Sequence, residues 1–271
     1  MKIVLLCGRQ HNQVALANKV AVKFNLAGII IEQAPAKKAM SFSLAQIVEK
    51  ILNRTFFIPL HSSWFNLLNT YKKEYPDFPD TQKITVQNVN SEASVDFIKR
   101  LKPDLVMVSG TSIVKTKILE LPIPKGIVNL HTGLSPYIKG GPNCTNWCIA
   151  EEQFHLIGNT VMWIDAGIDS GDIITTENTP LNGLETLSQL HLKVMNHAHD
   201  LYLKALKKIQ ENPGHCPGVK QESIVRGTTY YTKQWNREKK WRLLKNLKKL
   251  PAYFQSAKYA SDSSKIKTVP L

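Results

Sequence analysis

Gly126-Ile127-Val128-Asn129-Leu130-His131 is the stretch on which the fold turns. Its aliphatic residues suit a strand buried on both faces, as the strands of a parallel sheet are. Asn129 and His131 interrupt the run two positions apart, so an extended backbone sends both polar side chains to one face. They also close the strand at its carboxyl end, where open α/β sheets place their ligands. Upstream, Asp104-Leu105-Val106-Met107-Val108 is a second aliphatic strand. It follows a helix that Ser91 can cap, with Glu92 in its first turn, and that Pro103 ends.

The same alternation extends to both ends of the chain. Residues 2–6, 27–31 and 84–86 read as strands, and 14–24, 43–52 and 65–71 carry helical spacing. Downstream, 160–164 and 172–176 flank a Gly/Asp-rich turn and are expected to pair as a hairpin-like sheet edge. Residues 184–209 are a long amphipathic helix, and 261–271 are expected to fray. Strands alternating with helices at this rhythm imply βαβ units. The predicted fold is therefore α/β, a Rossmann-like, mostly parallel sheet with helices on both faces. It would span residues 1–210, with 211–271 as a small basic C-terminal appendage.

Composition removes several classes of function. The chain has 271 residues, 43% apolar and 21% charged, as ordinary globular proteins do. No apolar run approaches the roughly 20 residues that cross a bilayer. Ile3-Val4-Leu5-Leu6-Cys7 is too short for a signal-peptide core and lacks a small-residue cleavage site. Cys7, Cys144, Cys148 and Cys216 are too few for a cystine framework, which points to the reducing cytoplasm. The net charge is +14, and the segment from Gly218 onward supplies +10 of it, with thirteen basic residues against three acidic ones. A polyanionic partner would have to be met by that segment.

Common nucleotide and nucleophile motifs are missing. The loop after the first strand, Cys7-Gly8-Arg9-Gln10-His11-Asn12, has one glycine and so no dinucleotide fingerprint. Gly110-Thr111-Ser112-Ile113-Val114 lacks the final glycine of a nucleophile elbow. Cys144 and Cys148 have no second Cys/His pair to complete a metal site, and read as buried thiols.

What remains is an ordered constellation. After Asn129-Leu130-His131 come Leu134-Ser135-Pro136-Tyr137-Ile138-Lys139-Gly140, Gly158-Asn159-Thr160-Val161 and Ile168-Asp169-Ser170-Gly171-Asp172-Ile173-Ile174. Together, over roughly residues 80–205, they resemble the signature of the folate-dependent formyltransferases. That family includes enzymes acting on glycinamide ribonucleotide, methionyl-tRNA and nucleotide-linked amino sugars. Carried over by position, the resemblance implies Asn129, His131 and Asp169 as the catalytic trio and 10-formyltetrahydrofolate as the formyl donor. Its pterin would lie near Met107, Gly110, Thr111 and Ile113 on one side and Asp165 and Gly167 on the other. No metal is required. The chemistry suits these residue types. As an amine attacks the formyl carbon, Asn129 and a protonated His131 can stabilise the oxyanion. Asp169 can orient and charge the imidazole and accept the amine proton. Asp165 and Asp172 read as turn-forming, with Asp165 in reserve.

Departures from the pattern bear on the acceptor. Ser135-Pro136 stands where the family often has Leu-Pro, Lys139-Gly140 where it has Arg-Gly, and Thr132-Gly133 in place of a commoner Pro-containing pair. The first loop lacks the Gly/Ser-rich phosphate cradle of the glycinamide ribonucleotide enzymes, although Arg9 and His11 could bind an anion or cap the next helix. About 60 residues follow the long helix, an intermediate length that resembles sugar N-formyltransferases, as do Asn143 and Trp147. The leading expected acceptor is a primary amine on a nucleotide-linked amino sugar, which could stack on Trp147 or Tyr137, with a core helix position as the equal alternative for Trp147. Glycinamide ribonucleotide and then methionyl-tRNA are the alternatives. The basic segment 235–250 could dock on the catalytic domain, with Trp241, Leu244 and Leu247 on one face, lie on an anionic membrane, or contact RNA. Outside catalysis stands an RNA- or membrane-binding module on an idle fold, and beside transfer stands hydrolysis of the donor by water.

Overall fold

The computed structural model describes residues 1–33, 35, 55–141, 143–167 and 169–271. The helix expected over 43–52 lies outside the described residues. Seven strands form one sheet: β1 (Lys2–Gly8), β2 (Asn25–Glu32), β3 (Gln82–Val86), β4 (Leu105–Ser109), β5 (Ile127–His131), β6 (Gly158–Trp163) and β7 (Ile173–Asn178). Their order is β3-β2-β1-β4-β5-β6-β7. The first five are mutually parallel, and β6 and β7 run antiparallel at the far edge, the hairpin-like edge expected from the sequence.

Period-two alternation divides the core. Leu5, Met107, Val128 and Leu130 face helices α1 (His11–Lys23) and α6 (Leu187–Glu211), while Leu6, Val106 and Val108 face α3 (Glu92–Leu101) and α4 (Thr116–Leu119). The second helix, α2 (Ile58–Glu74), packs beside α1 and α6 through Leu67 and Tyr71. The Ser91 hydroxyl caps α3 as expected, accepting from the Ser94 N–H. Helix α6 starts at Leu187 rather than 184, because Thr186 and Gln189 close a capping box there. Among the described residues no helix is long and apolar enough to cross a membrane.

The C-terminal segment is built into the body. A short strand, β9 (Thr228–Tyr230), pairs in parallel with β8 (Ile138–Gly140) in a second, two-stranded sheet. Helix α7 (Arg237–Leu247) packs on α5 (Cys144–Ala150), burying Leu243. The Asn246 amide donates to the Ile149 and Ala150 carbonyls at 3.2 and 3.0 Å, satisfying the end of α5. Lys239 and Arg242 pair with Glu151, and Lys249 with Glu152. Of the three expected arrangements the helix takes the docked one, with its register shifted. Leu243 is the buried anchor, and Trp241 turns outward against Phe56 and Phe57. Two short helices, α8 (Leu250–Phe254) and α9 (Ala257–Ser263), follow. The expected fraying of 261–271 is not what the chain does. Val269 exchanges hydrogen bonds with Thr175 and Thr176, covering the exposed edge of β7.

Candidate active site

Asn129 and His131 leave β5 on the face opposite Val128 and Leu130, so their backbone positions follow from the strand alone. Beneath them the hydroxyl of Tyr202, buried on α6, accepts from the Val108 N–H at 3.2 Å and donates to the Val128 carbonyl at 2.7 Å. It ties β4 to β5 just below their carboxyl ends.

Asp169 arrives from the turn between β6 and β7. Its φ of 48° lies in the left-handed region, which Asp tolerates better than most residues. Contacts from distant parts of the chain hold it there. The Gln221 amide donates to the Asp169 and Gly171 carbonyls, both at 2.8 Å, and the Gly140 N–H donates to Asp169 Oδ2 at 3.1 Å. Gly140 has a φ of 84°, and a Cβ there would lie 2.1 Å from the Tyr230 carbonyl oxygen, so the β8–β9 pairing demands glycine.

The carboxylate gathers the other two residues. Asn129 Nδ2 approaches Asp169 Oδ1 at 3.5 Å, and His131 Nδ1 lies 3.4 Å from Asp169 Oδ2. Cys144 Sγ stands 3.5 Å from His131 Nε2, which also lies 3.4 Å from the Ile138 carbonyl oxygen. Burial by itself works against a charged ring. The Asp169 charge, with smaller help from Cys144 and the Ile138 carbonyl, outweighs it and pushes the His131 pKa up to about 9. Burial pushes the Cys144 thiol above its usual range, so at neutral pH it is a neutral neighbour. A Cβ at Gly133 would fall 2.4 Å from His131 Nε2, so glycine there leaves room for the ring.

A cleft with about 590 Å³ of empty space opens beside the trio. Gly110, Thr111 and Ile113 line one wall, Asp165 and Gly167 the other, and Asn129 and Asp169 close its end. Ser112 and Glu32 brace the first wall, with Glu32 accepting from the Ser112 N–H and hydroxyl at 2.6 Å each. Asp165 is a turn former, accepting from the Gly167 N–H and the Ser170 hydroxyl. Met107 is a correction. It lies in the core with α1 and α6, and alternation along β4 puts Val108 at the cleft instead. His131 is 8% exposed and backs Asp169 rather than lining the cleft. Of the two readings of Trp147, the core one holds: it is buried, stacks on Tyr230 at 4.3 Å and donates to the Gly141 carbonyl, so no sugar can stack on it. Arg9 contacts Gln33 on the surface. The sequence names Cys144 only as a buried thiol and gives no signal for Gln221, while Gly140 stands in the signature loop. Only the glycine beside Lys139 offered a signal there.

Comparison with known proteins identifies the family. The formyl transferase family model matches residues 2–206. The chain is 32% identical over 121 residues to the methionyl-tRNA formyltransferase of Clostridium tetani, an alignment covering 44% of this chain and 38% of that one. The chain thus spans less than half the length of that curated relative. The N-formyltransferase of Helicobacter canadensis, solved with folinic acid and dTDP-3-aminofucose, superposes with a TM-score of 0.56 at 16% identity, covering 91% of this chain and 81% of that one. A sugar N-formyltransferase from a Shewanella species gives a TM-score of 0.56 at 16% identity, covering 91% and 88%. At those identities the likeness is one of fold. With three-quarters of its length matched by the family model, the chain belongs to the formyl transferase family.

Proposed function

We propose that the chain transfers a formyl group from 10-formyltetrahydrofolate to the primary amine of a small cytoplasmic acceptor, an amino sugar on a nucleotide carrier. The observation that carries this reading is a single carboxylate, Asp169, holding Asn129 and His131 together at the end of the cleft. The cleft suits a pterin. Apolar side chains of Val108, Val114 and Met162 line it beside Gly110 and Gly167, where a planar ring can approach the backbone closely.

The folate supplies the formyl carbon. Asn129 has a second amide N–H besides the one facing Asp169, and this donor meets the oxygen that gains charge as the amine adds. Asp169 faces the cleft and takes the proton that the amine loses; the carbon–nitrogen bond to the folate then breaks, and the proton passes to the departing folate nitrogen to give tetrahydrofolate. The His131 cation behind it, together with the Gly140 N–H, holds the carboxylate in place. The Helicobacter enzyme with dTDP-3-aminofucose favours a nucleotide-linked amine. The Clostridium relative favours methionyl-tRNA as a second reading.

Calorimetry with a stable 10-formyltetrahydrofolate analogue tests the donor, and tetrahydrofolate release across a panel of amines tests transfer. Micromolar binding, with release that needs an amine and vanishes in Asp169→Asn, supports the reading. Release by water alone would make the protein a hydrolase, and folded protein that does not bind the analogue would end the proposal.

A further inference from the structure

Residues 216–221 run along the turn that carries Asp169 and brace it. The Trp163 indole N–H donates to the Cys216 carbonyl at 3.1 Å, and Val219 exchanges backbone hydrogen bonds with Ile173 at 2.8 and 2.9 Å. Gly218 lies so close that a Cβ there would fall 2.7 Å from the Asp172 Cβ. Further along, Gly227 closes the segment against the 134–140 loop, since a Cβ there would lie 1.5 Å from the Pro136 carbonyl oxygen. Every residue of this brace comes from beyond residue 206, the last that the family model matches.

Gln221 forms the end of the brace. Its amide nitrogen carries two hydrogens, and the carbonyl oxygens of Asp169 and Gly171 each lie 2.8 Å from it. One side chain thus spans the left-handed backbone of Asp169, a conformation that a non-glycine residue keeps where its surroundings fix it. The far end of the amide is a second observation. Gln221 is 7% exposed, and its buried Oε1 has no hydrogen-bond partner among the described residues. Turning the amide over would set that oxygen against two carbonyl oxygens, so its orientation is settled. A buried acceptor left unpaired is costly, and a side chain that only filled this space would be apolar. What glutamine supplies, and methionine of similar size does not, is the pair of donors.

We infer that Gln221 is a positioning residue for the formyl transfer: by gripping the Asp169 and Gly171 carbonyls it sets the Asp169 carboxylate between Asn129 and His131. The inference rests on the proposed transfer and adds to it a residue that acts through Asp169 rather than at the reacting atoms. The carboxylate reaches Asn129 and His131 at 3.5 and 3.4 Å, already long for hydrogen bonds. A turn that relaxes outward by about half an ångström loses both contacts. The C-terminal segment is therefore part of the catalytic apparatus through one amide.

Gln221→Met keeps the volume and removes both donors, and Gln221→Glu turns an acceptor toward the two carbonyls. Three measurements on the chain test them: transfer from 10-formyltetrahydrofolate to dTDP-3-aminofucose, calorimetric binding of the stable folate analogue, and NMR titration of the histidine ring protons. Both variants should bind the analogue within a few-fold of wild type. Their kcat should fall about a hundredfold with KM for the folate little changed, the scale expected for a displaced catalytic group. The His131 midpoint should fall from about 9 as the carboxylate moves off. Glu222→Gln, an exposed neighbour, should change none of the three. If Gln221→Met does not fold, Gln221→Asn carries the test with the same donors on a shorter arm, and rate and midpoint must again fall together. The inference is overturned if the folded variants keep both the wild-type rate and the wild-type midpoint, or if the rate falls while the midpoint stays at about 9. It is equally overturned if Glu222→Gln lowers both as much. Absence of transfer in wild type would strike the proposed function instead, and the His131 midpoint would still read whether Gln221 sets the Asp169 carboxylate.

Discussion

Asp169→Asn removes the carboxylate charge that faces His131 while keeping nearly the same shape. In the wild type the ring is raised from 6.5 to about 9 against the effect of its own burial. That difference corresponds to about 3 kcal/mol favouring the charged ring. With asparagine in place only burial remains as a strong influence, so the His131 midpoint should fall below 6.5. Titration of the histidine ring protons by NMR reads this directly. His191 and His199, which burial pushes down to about 4 and about 3, should stay neutral throughout. Stability carries the same signature. A group whose folded pKa is raised stabilises fully below its unfolded value, and the gain is lost as pH rises through the folded value. Wild type should therefore lose up to about 3 kcal/mol between pH 6.5 and 9 relative to Asp169→Asn, measured by urea unfolding. A His131 midpoint that stays above 6.5 in the variant, or parallel stability curves for the two proteins, would refute the argument that Asp169 charges the ring.

Cys144→Ala should move the His131 midpoint far less than Asp169→Asn does, because the buried thiol is uncharged at neutral pH. An equal shift in the same NMR titration would mean that the sulfur carries charge. Leu243→Ala should cost about 2–5 kcal/mol in urea unfolding, as buried leucine truncations do, and a cost near zero would mean that α7 is not docked. Gly133→Ala should abolish transfer while leaving binding of the folate analogue within a few-fold, since its Cβ meets His131 and not the cleft. Normal turnover in that variant would show that the ring has room to spare.

The sheet was legible because it is built from local rules. Apolar runs closed by Pro103 or opened by Ser91 mark strands and helices without reference to the rest of the chain. The same rule placed Asn129 and His131 on one face, and the ordered signature added Asp169. It did not settle which face of a strand meets the cleft, so Met107 was read as a lining residue in place of Val108. What holds Asp169 was out of reach altogether. The Gln221 amide is 52 positions from the carbonyl it grips, and the Cys144 thiol that meets His131 lies 13 positions away on a separate helix. The C-terminal 60 residues look like an appendage in composition, since their lysines dominate. Their contribution to the site rests on three residues of β-pairing and on two glycines whose Cβ atoms would strike a carbonyl oxygen. Pairings of that length leave no periodic trace.

The most direct test of the central claim follows the formyl group itself. The chain is mixed with 10-formyltetrahydrofolate labelled in the formyl carbon and a nucleotide-linked amino sugar, and the products are separated by mass. The account predicts label on the sugar nitrogen in the wild type, none in Asp169→Asn, and little free formate in either. Label recovered as formate alone, or transfer that survives the loss of Asp169, would contradict it.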